Sequence, residues 1–225
     1  MIWSERVREP LYEQLEHELK GRVTQQRFCH SIGVRDTAVT LAGIYGCDRE
    51  KAGIAGLLHD VARDMPLDTM QNTVTKQGVV QMQQLTHGWF ETPDYDTIFN
   101  SPELLHAYAG RIIAQQDFGI QDEDILKSIE LHTMGGVRMT TLNKVVFVAD
   151  YIEPGRSFKG VETARTIAQG SLDEAVLNIF RSMLRKLVSK GVYICINTLL
   201  GYNEHVKEIR SRMSPGCKRC KEYSY

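Results

Sequence analysis

The chain has 225 residues and a formal net charge of −1 at pH 7, and 42% of its residues are hydrophobic. This composition predicts one compact domain with a sizeable core, and the small net charge gives no support for a nucleic acid or a membrane surface as a partner. No apolar run approaches membrane-spanning length and the N-terminal segment is charged, so we expect a cytoplasmic enzyme. The oligomeric state stays open, with a homodimer among the options.

Helical spacing of apolar residues predicts helices along nearly the whole chain, which places the fold in the all-α class. Capping residues indicate where several of these helices begin. In chain order, the predicted starts are Leu11, Thr24, Asp48, Pro66, Ser101 with Pro102, Asp122, Thr140 or Thr141, and Ser171. The helix that begins at Asp48 is expected to continue to about Arg63, and the one that begins at Ser171 to end at Ser189.

Two stretches lack a clear helical pattern. Residues 86–101 are aromatic, polar and interrupted by Pro93, which predicts a loop long enough to act as a lid or pocket wall. Residues 192–196 fit a short strand or a helix equally well. We predict a single domain over residues 1–203, followed by a basic, flexible tail over residues 204–225.

Histidine and aspartate side chains recur at the inner edge of several predicted helices. His132, for example, extends the apolar stripe of Ile125 and Ile129, and Asp150 lies one turn after Val146. Buried imidazoles and carboxylates are costly unless they are paired or bind a metal. Six such residues therefore predict a two-metal hydrolytic centre that acts on phosphates: His30, His59, Asp60, His106, His132 and Asp150.

The remaining histidines have more ordinary interpretations, because a single histidine on an apolar helix is more often a hydrogen-bonded core residue than a ligand. His87 lies in the predicted loop beside glycine and tryptophan, where a metal role is not favoured. His17 and His205 lie among charged residues and are predicted to be solvated.

Cysteine usage argues against disulfides, because the count of five is odd and the spacing has no framework pattern. Cys217 and Cys220 form a C-x-x-C motif close to the C-terminus. Zinc would need a second ligand pair with matching spacing, and the sequence has none. We interpret this motif as part of the tail.

Five segments, RFCHSIGV, GLLHDVARD, SPELLHAYAG, LHTMGG and VFVADYIEPGRSFKGVE, carry a resemblance to a known family. Their order resembles the HD superfamily of metal-dependent phosphohydrolases and, more closely, the YqeK family of bacterial symmetrical diadenosine tetraphosphate hydrolases. The resemblance extends from about Leu11 to about Tyr202, and ADYIEPGR is its most family-specific stretch. It implies an HD-domain helical bundle with metal ligands from several helices. Met134 and Asn143 depart from the Thr and Asp that the family usually has.

The resemblance also implies how the ligands divide. His30, His59, Asp60 and Asp150 would hold one metal, and Asp60, His106 and His132 the other, so that Asp60 bridges both. The family favours iron, while the ligand types fit manganese, cobalt or zinc as well. The metals would activate a water for attack on a phosphorus of the polyphosphate.

Other residues near the motifs are expected to contact the substrate or assist catalysis. We assign catalytic roles to Asp60, Asp64 and Arg27, with Asp64 orienting a water or an arginine. The predicted substrate-binding residues are Arg27, Arg63, Thr133, Lys144 and Arg156. For Arg27 and Lys144, an ordinary solvated charge is an equally good interpretation.

The function that follows is symmetrical hydrolysis of dinucleoside tetraphosphates to two nucleoside diphosphates. One alternative keeps the site but changes the substrate to a nucleoside mono- or triphosphate. A second is a non-catalytic nucleotide-binding regulatory module, although such modules usually lose ligands and all six positions are filled here. A nucleic-acid phosphodiesterase is not favoured, because the only basic cluster, residues 207–221, lies in the predicted tail.

Overall fold

The computed structural model describes residues 8–76 and 94–212. Within these ranges the chain is helical and contains no strand, which confirms the predicted all-α class. The helices are α1 (Arg8–Lys20), α2 (Gln25–Tyr45), α3 (Arg49–Leu58), α4 (Leu67–Lys76), α5 (Tyr95–Phe99), α6 (Pro102–Gln116), α7 (Glu123–Leu131), α8 (Thr141–Ile152), α9 (Val161–Gly170), α10 (Leu172–Lys190) and α11 (Ile196–Ser211). None of them is both long and apolar enough to cross a bilayer.

Helices α3 and α8 form the centre of the bundle and are buried along most of their length. Helices α2 and α7 each pack against α3 and α8, from different sides. Helix α6 packs against α7 and α4. Helices α9 and α10 cover a further side of α8, and α11 packs on α10. At Gly56 a Cβ would lie 3.0 Å from Cα of Arg35, so the small residue allows α2 and α3 to approach closely.

The predicted caps are present at several helix starts. The side chain of Asp48 accepts from the backbone N–H groups of Glu50 and Lys51, and that of Asp122 accepts from Asp124 and Ile125. Thr140 caps α8 and forms a capping box with the residue three positions later. These caps satisfy amide groups that would otherwise lack partners at the helix starts.

Several boundaries differ from the prediction. Helix α3 ends at Leu58 instead of continuing to residue 63, and the short helix α5 lies within the predicted loop. Helix α9 was not predicted, because its buried face is limited to three small or medium side chains, Val161, Ala164 and Ala168, which give a weak apolar pattern. Residues 192–195 form neither strand nor helix, and α11 continues past residue 204, where the tail was predicted to begin.

His205 corrects the prediction that it is solvated. Its side chain is completely buried, Nδ1 donates to the carbonyl oxygen of Gly201 at 2.9 Å, and its ring centroid lies 5.5 Å from that of Phe180. The cause is the packing of α11 on α10, which covers one face of an otherwise charged helix. His17 is exposed, as predicted. His87, Cys217, Cys220 and residues 86–93 lie outside the described residues.

Candidate metal centre

The six predicted ligands come from five places in the bundle and meet at its centre. His30 lies on α2 and His106 on α6, while Asp150 lies near the end of α8. His59 and Asp60 follow α3 directly, and His132 follows α7. Because α3 ends before them, the chain turns there and directs both side chains of the His-Asp pair toward the other ligands.

Asp60 divides the four histidines into two pairs. Its Oδ1 lies 3.1 Å from Nε2 of His106 and 3.5 Å from Nε2 of His132. Its Oδ2 lies 3.4 Å from Nε2 of His59 and 3.7 Å from Nε2 of His30. A single buried carboxylate therefore presents one oxygen to each pair.

Asp150 belongs to the pair formed by His30 and His59. Its Oδ1 lies 3.0 Å from Nε2 of His30 and 3.7 Å from Nε2 of His59. The first group of donors is thus His30, His59, Asp60 and Asp150, and the second is Asp60, His106 and His132. This is the division that the family resemblance implies.

The hydrogen bonds of the imidazoles leave Nε2 as the inward donor atom. Nδ1 of His59 donates to Gly56 O at 2.7 Å, and Nδ1 of His132 donates to Ile129 O at 2.7 Å. Nδ1 of His106 is 3.1 Å from Pro102 O. With the proton on Nδ1, Nε2 carries a lone pair.

Lone pairs then face each other across the site. The Nε2 atoms of His30 and His59 are 3.2 Å apart, and those of His106 and His132 are 3.1 Å apart. Two unprotonated nitrogens at this distance cannot hydrogen-bond to each other, whereas a cation between them satisfies both. Nitrogen and carboxylate donors of this kind suit first-row transition metals, so the residues present fit a metal centre.

Electrostatics keep the carboxylates ionised. Without a metal, the histidines can carry a proton on Nε2 as well. Burial then raises the pKa of Asp60, but the charge of His59 and hydrogen bonds from His106 and His132 outweigh it and hold that pKa well below its usual range. The same balance, with His30 as the main partner, lowers the pKa of Asp150. Burial lowers the pKa of His106, which favours its neutral, metal-binding form.

Comparison with known proteins decides the family. A model described as the HD domain matches residues 27–155, the span that contains all six donors. The chain belongs to the HD-domain family. Two curated proteins named symmetrical bis(5'-nucleosyl)-tetraphosphatase are each 36% identical to it. The one from Bacillus subtilis aligns over 185 residues, 82% of this chain and 92% of its own. The one from Halalkalibacterium halodurans aligns over 190 residues, 84% of this chain and 94% of its own.

A solved structure supports the same fold. It comes from Clostridium acetobutylicum and is described as a predicted HD superfamily hydrolase involved in NAD metabolism. It is 40% identical in sequence, matches with a TM-score of 0.78, and covers 88% of this chain and 97% of its own. Together with the curated relatives, this confirms the HD-domain bundle and the resemblance that the sequence motifs carry.

Two arginines lie against the carboxylates of this HD-domain centre. Nη1 of Arg27 is 2.5 Å from Oδ2 of Asp60. Oδ1 of Asp64 lies 3.7 Å from Nε of Arg27. Oδ2 of Asp64 accepts hydrogen bonds from the backbone N–H and the hydroxyl of Thr24, at 2.8 Å each. Arg156 donates from Nε to Asp150 O at 2.9 Å and pairs through Nη2 with Oδ1 of the same residue.

Of the other predicted substrate contacts, two lie at the centre and one does not. Arg63 and Thr133 line a cavity of about 420 Å³ together with the metal donors. Lys144 is not brought to the site: its Nζ pairs with Asp173 at 2.9 Å and with Glu208 at 3.4 Å. Asp150 lies six positions after Lys144 on α8, which places the two side chains about 120° apart around the helix.

Sequence reasoning missed Glu153 and Lys186. Glu153 is only 4% exposed, and its Oε1 accepts from Nδ1 of His30 at 3.1 Å. It follows α8 directly, where the pattern Glu-Pro-Gly indicated only the end of a helix. Lys186 lines the 420 Å³ cavity from α10, as do Ile179 and Met183. No short-range signal marked it, because α10 is far from the ligands in sequence.

The two departures from the family pattern lie away from the donors. Asn143 is buried, and its amide donates to Ser128 Oγ at 2.9 Å and to Asp124 Oδ1 at 3.1 Å. Met134 is also buried, with its carbonyl oxygen accepting from the Thr198 hydroxyl at 3.1 Å. Neither is among the described residues that line the 420 Å³ cavity. Both therefore act in packing between helices.

Proposed function

We propose that this HD-domain chain is a metal-dependent hydrolase that splits diadenosine tetraphosphate symmetrically into two molecules of ADP. The curated relatives that cover most of its length carry that activity in their names. The observation that carries the proposal is the position of Asp60, whose two oxygens face two separate histidine pairs. That arrangement suits a carboxylate that bridges two cations.

His30, His59, Asp60 and Asp150 would hold one metal, and Asp60, His106 and His132 the other. When bound, two such ions lower the pKa of a water molecule and neutralise charge that develops on phosphate oxygens. We propose iron as the native metal, following the family, although imidazole and carboxylate donors also accept manganese, cobalt or zinc.

The remaining residues of the centre bind and orient. Arg27 and Arg156 each use only part of a guanidinium on a donor carboxylate, which leaves further N–H groups to hold phosphate oxygens. Asp64 fixes Arg27 by its contacts with Arg27 and the α2 cap. Glu153 keeps the proton of His30 on Nδ1, so that Nε2 stays available as a donor.

In the 420 Å³ cavity, Arg63, Thr133 and Lys186 add polar contacts to an apolar wall that includes Phe147 and Met183. Apolar walls with a few positioned polar groups are typical of nucleotide-sized pockets. We propose that this cavity holds one nucleoside diphosphate half of the substrate.

Product analysis tests the function directly. The enzyme, loaded with metal under reducing, anaerobic conditions, is incubated with diadenosine tetraphosphate, and the products are separated by chromatography. We expect ADP alone, and in oxygen-18 water one labelled ADP per turnover. AMP together with ATP would refute symmetrical cleavage. No turnover by protein that carries its metal would refute the hydrolase itself.

A further inference from the structure

A second cavity adjoins the metal centre on the outer side of α2. It has a volume of about 840 Å³, twice that of the cavity that holds Asp60. Arg27 and Arg156 line both cavities and form the wall that they share. The larger cavity is otherwise lined by the start of α2 and the loop after α8, including Thr24, Gln26, Cys29, Ile32, Pro154 and Gly155.

Symmetrical cleavage requires space on both sides of the metal centre. The bond that breaks lies in the middle of the tetraphosphate, so each nucleoside is the same number of phosphates away from it. The two nucleosides must therefore extend in different directions from the donors and the arginines. A cavity on one side alone would accommodate a single nucleoside and leave the other in solvent.

The two cavities meet this requirement. Both volumes fall within the range of about 300–1,000 Å³ that is usual for small-molecule sites. Their common wall consists of Arg27 and Arg156, the two cations that lie against Asp60 and Asp150. Phosphates held at these arginines would have one nucleoside on either side.

The chemistry of the larger cavity suits a nucleoside. Ile32 and Pro154 supply apolar surface on which a base can pack. Gln26 and Thr24 offer donors and acceptors for the base edge or the ribose hydroxyls. Gln26 and Cys29 are exposed side chains of the cavity, so a ligand can reach it from solvent.

We propose that the 840 Å³ cavity binds the second nucleoside of the dinucleoside substrate. The inference rests on the proposed function, because a substrate with one nucleoside would not need this site. It assigns Cys29, Ile32 and Pro154 to substrate binding, in addition to the residues around the metal donors.

Filling the cavity is the first test. Cys29→Trp places a large side chain in it, and Thr40→Trp, at an exposed position further along α2, is the matched control. We expect Cys29→Trp to lower kcat/KM for diadenosine tetraphosphate by about tenfold or more, mainly through KM. Thr40→Trp should keep the wild-type kcat/KM on both substrates, and the loss in Cys29→Trp should be smaller on bis(p-nitrophenyl) phosphate, which has no nucleoside. An unchanged KM, or equal losses on both substrates, would overturn the proposal.

Protection of the native thiol is a second test that needs no substitution. The rate at which a maleimide labels Cys29 is followed by mass spectrometry of its peptide. A diadenosine tetraphosphate analogue with a central methylene bridge should slow this labelling, whereas inorganic pyrophosphate should not. Labelling that the analogue leaves unchanged at saturating concentration would refute the site. Failure of the wild-type enzyme to cleave diadenosine tetraphosphate would instead refute the proposed function, so the two failures are distinguishable.

Discussion

Replacing Glu153 with Gln tests how the metal centre holds His30. The two oxygens of Glu153 accept from Nδ1 of His30 at 3.1 Å and from the backbone N–H of Gly155 at 2.5 Å. Glutamine has one oxygen and one NH₂ group, so one of these two donors would face another donor. Such partners of metal ligands are typically worth about 10–100-fold in metal affinity or activity. At 1.36 kcal/mol per factor of ten, this is about 1.4–2.8 kcal/mol.

The assay is a competition titration of cobalt or manganese against a chelator, with activity measured on the same samples. We expect Glu153→Gln to bind the ion that His30 would hold about 10–100-fold less tightly, with the fold unchanged by circular dichroism. Glu13→Gln, at an exposed position on α1, is the matched control. Wild-type metal affinity and activity in Glu153→Gln would show that His30 does not depend on this carboxylate.

Four further predictions follow from the same contacts. Asp60→Ala should lose metal and activity together, since one carboxylate serves both histidine pairs; metal analysis that finds two ions per chain would contradict this. Arg27→Ala should keep its metal but lose about 10–100-fold in kcat/KM on diadenosine tetraphosphate, and Arg27→Lys should recover only part of this loss. An equal loss on bis(p-nitrophenyl) phosphate would contradict the role of Arg27 in holding the polyphosphate. Lys186→Ala should raise KM about 3–10-fold, while Lys190→Ala, one turn further along α10, should not; equal KM values for both variants would remove Lys186 from the site. Burial raises the pKa of Asp173, but hydrogen bonds from Lys144 and Arg212 outweigh it and lower that pKa, so this carboxylate stabilises the fold above its unfolded pKa and ceases to do so as pH falls through the lower folded value. Asp173→Asn should therefore lower the free energy of unfolding by about 1–2 kcal/mol at pH 7 and by less near pH 3. A difference in stability that does not change with pH in urea titrations would contradict this.

Local signals were sufficient to select the histidine and aspartate side chains that meet at the centre of the bundle, and to predict most of the helices. His132 and Asp150 continue apolar stripes of their helices, and caps such as Asp122 and Thr140 mark helix starts within a few residues. Both kinds of signal act over one or two turns, so they can be read from neighbouring residues. The order of the motifs then supplied the family, which the comparisons confirm.

Long-range packing was not predictable in this way. Lys144 was expected at the substrate, but Asp173 and Glu208, on two other helices, hold it on another side of α8. His205 was expected in solvent, but α10 covers it. In both cases the deciding partners are far away in sequence, and the residues next to each position gave no indication of them.

The loop after α8 shows why a helix that lines neither of the two cavities described above still supports the site. Nη2 of Arg165, on α9, donates to Glu153 O at 2.8 Å and to Arg156 O at 2.9 Å, and its Nε donates to Ile152 O at 2.9 Å. These three bonds fix the backbone of the loop that carries both the carboxylate partner of His30 and one arginine of the wall between the cavities. Because a misplacement of about 1 Å is enough to impair a catalytic arrangement, the position of this backbone matters as much as the side chains it carries. Helix α9 therefore supports the proposed metal and phosphate site through the side chain of Arg165, which holds the backbone of this loop.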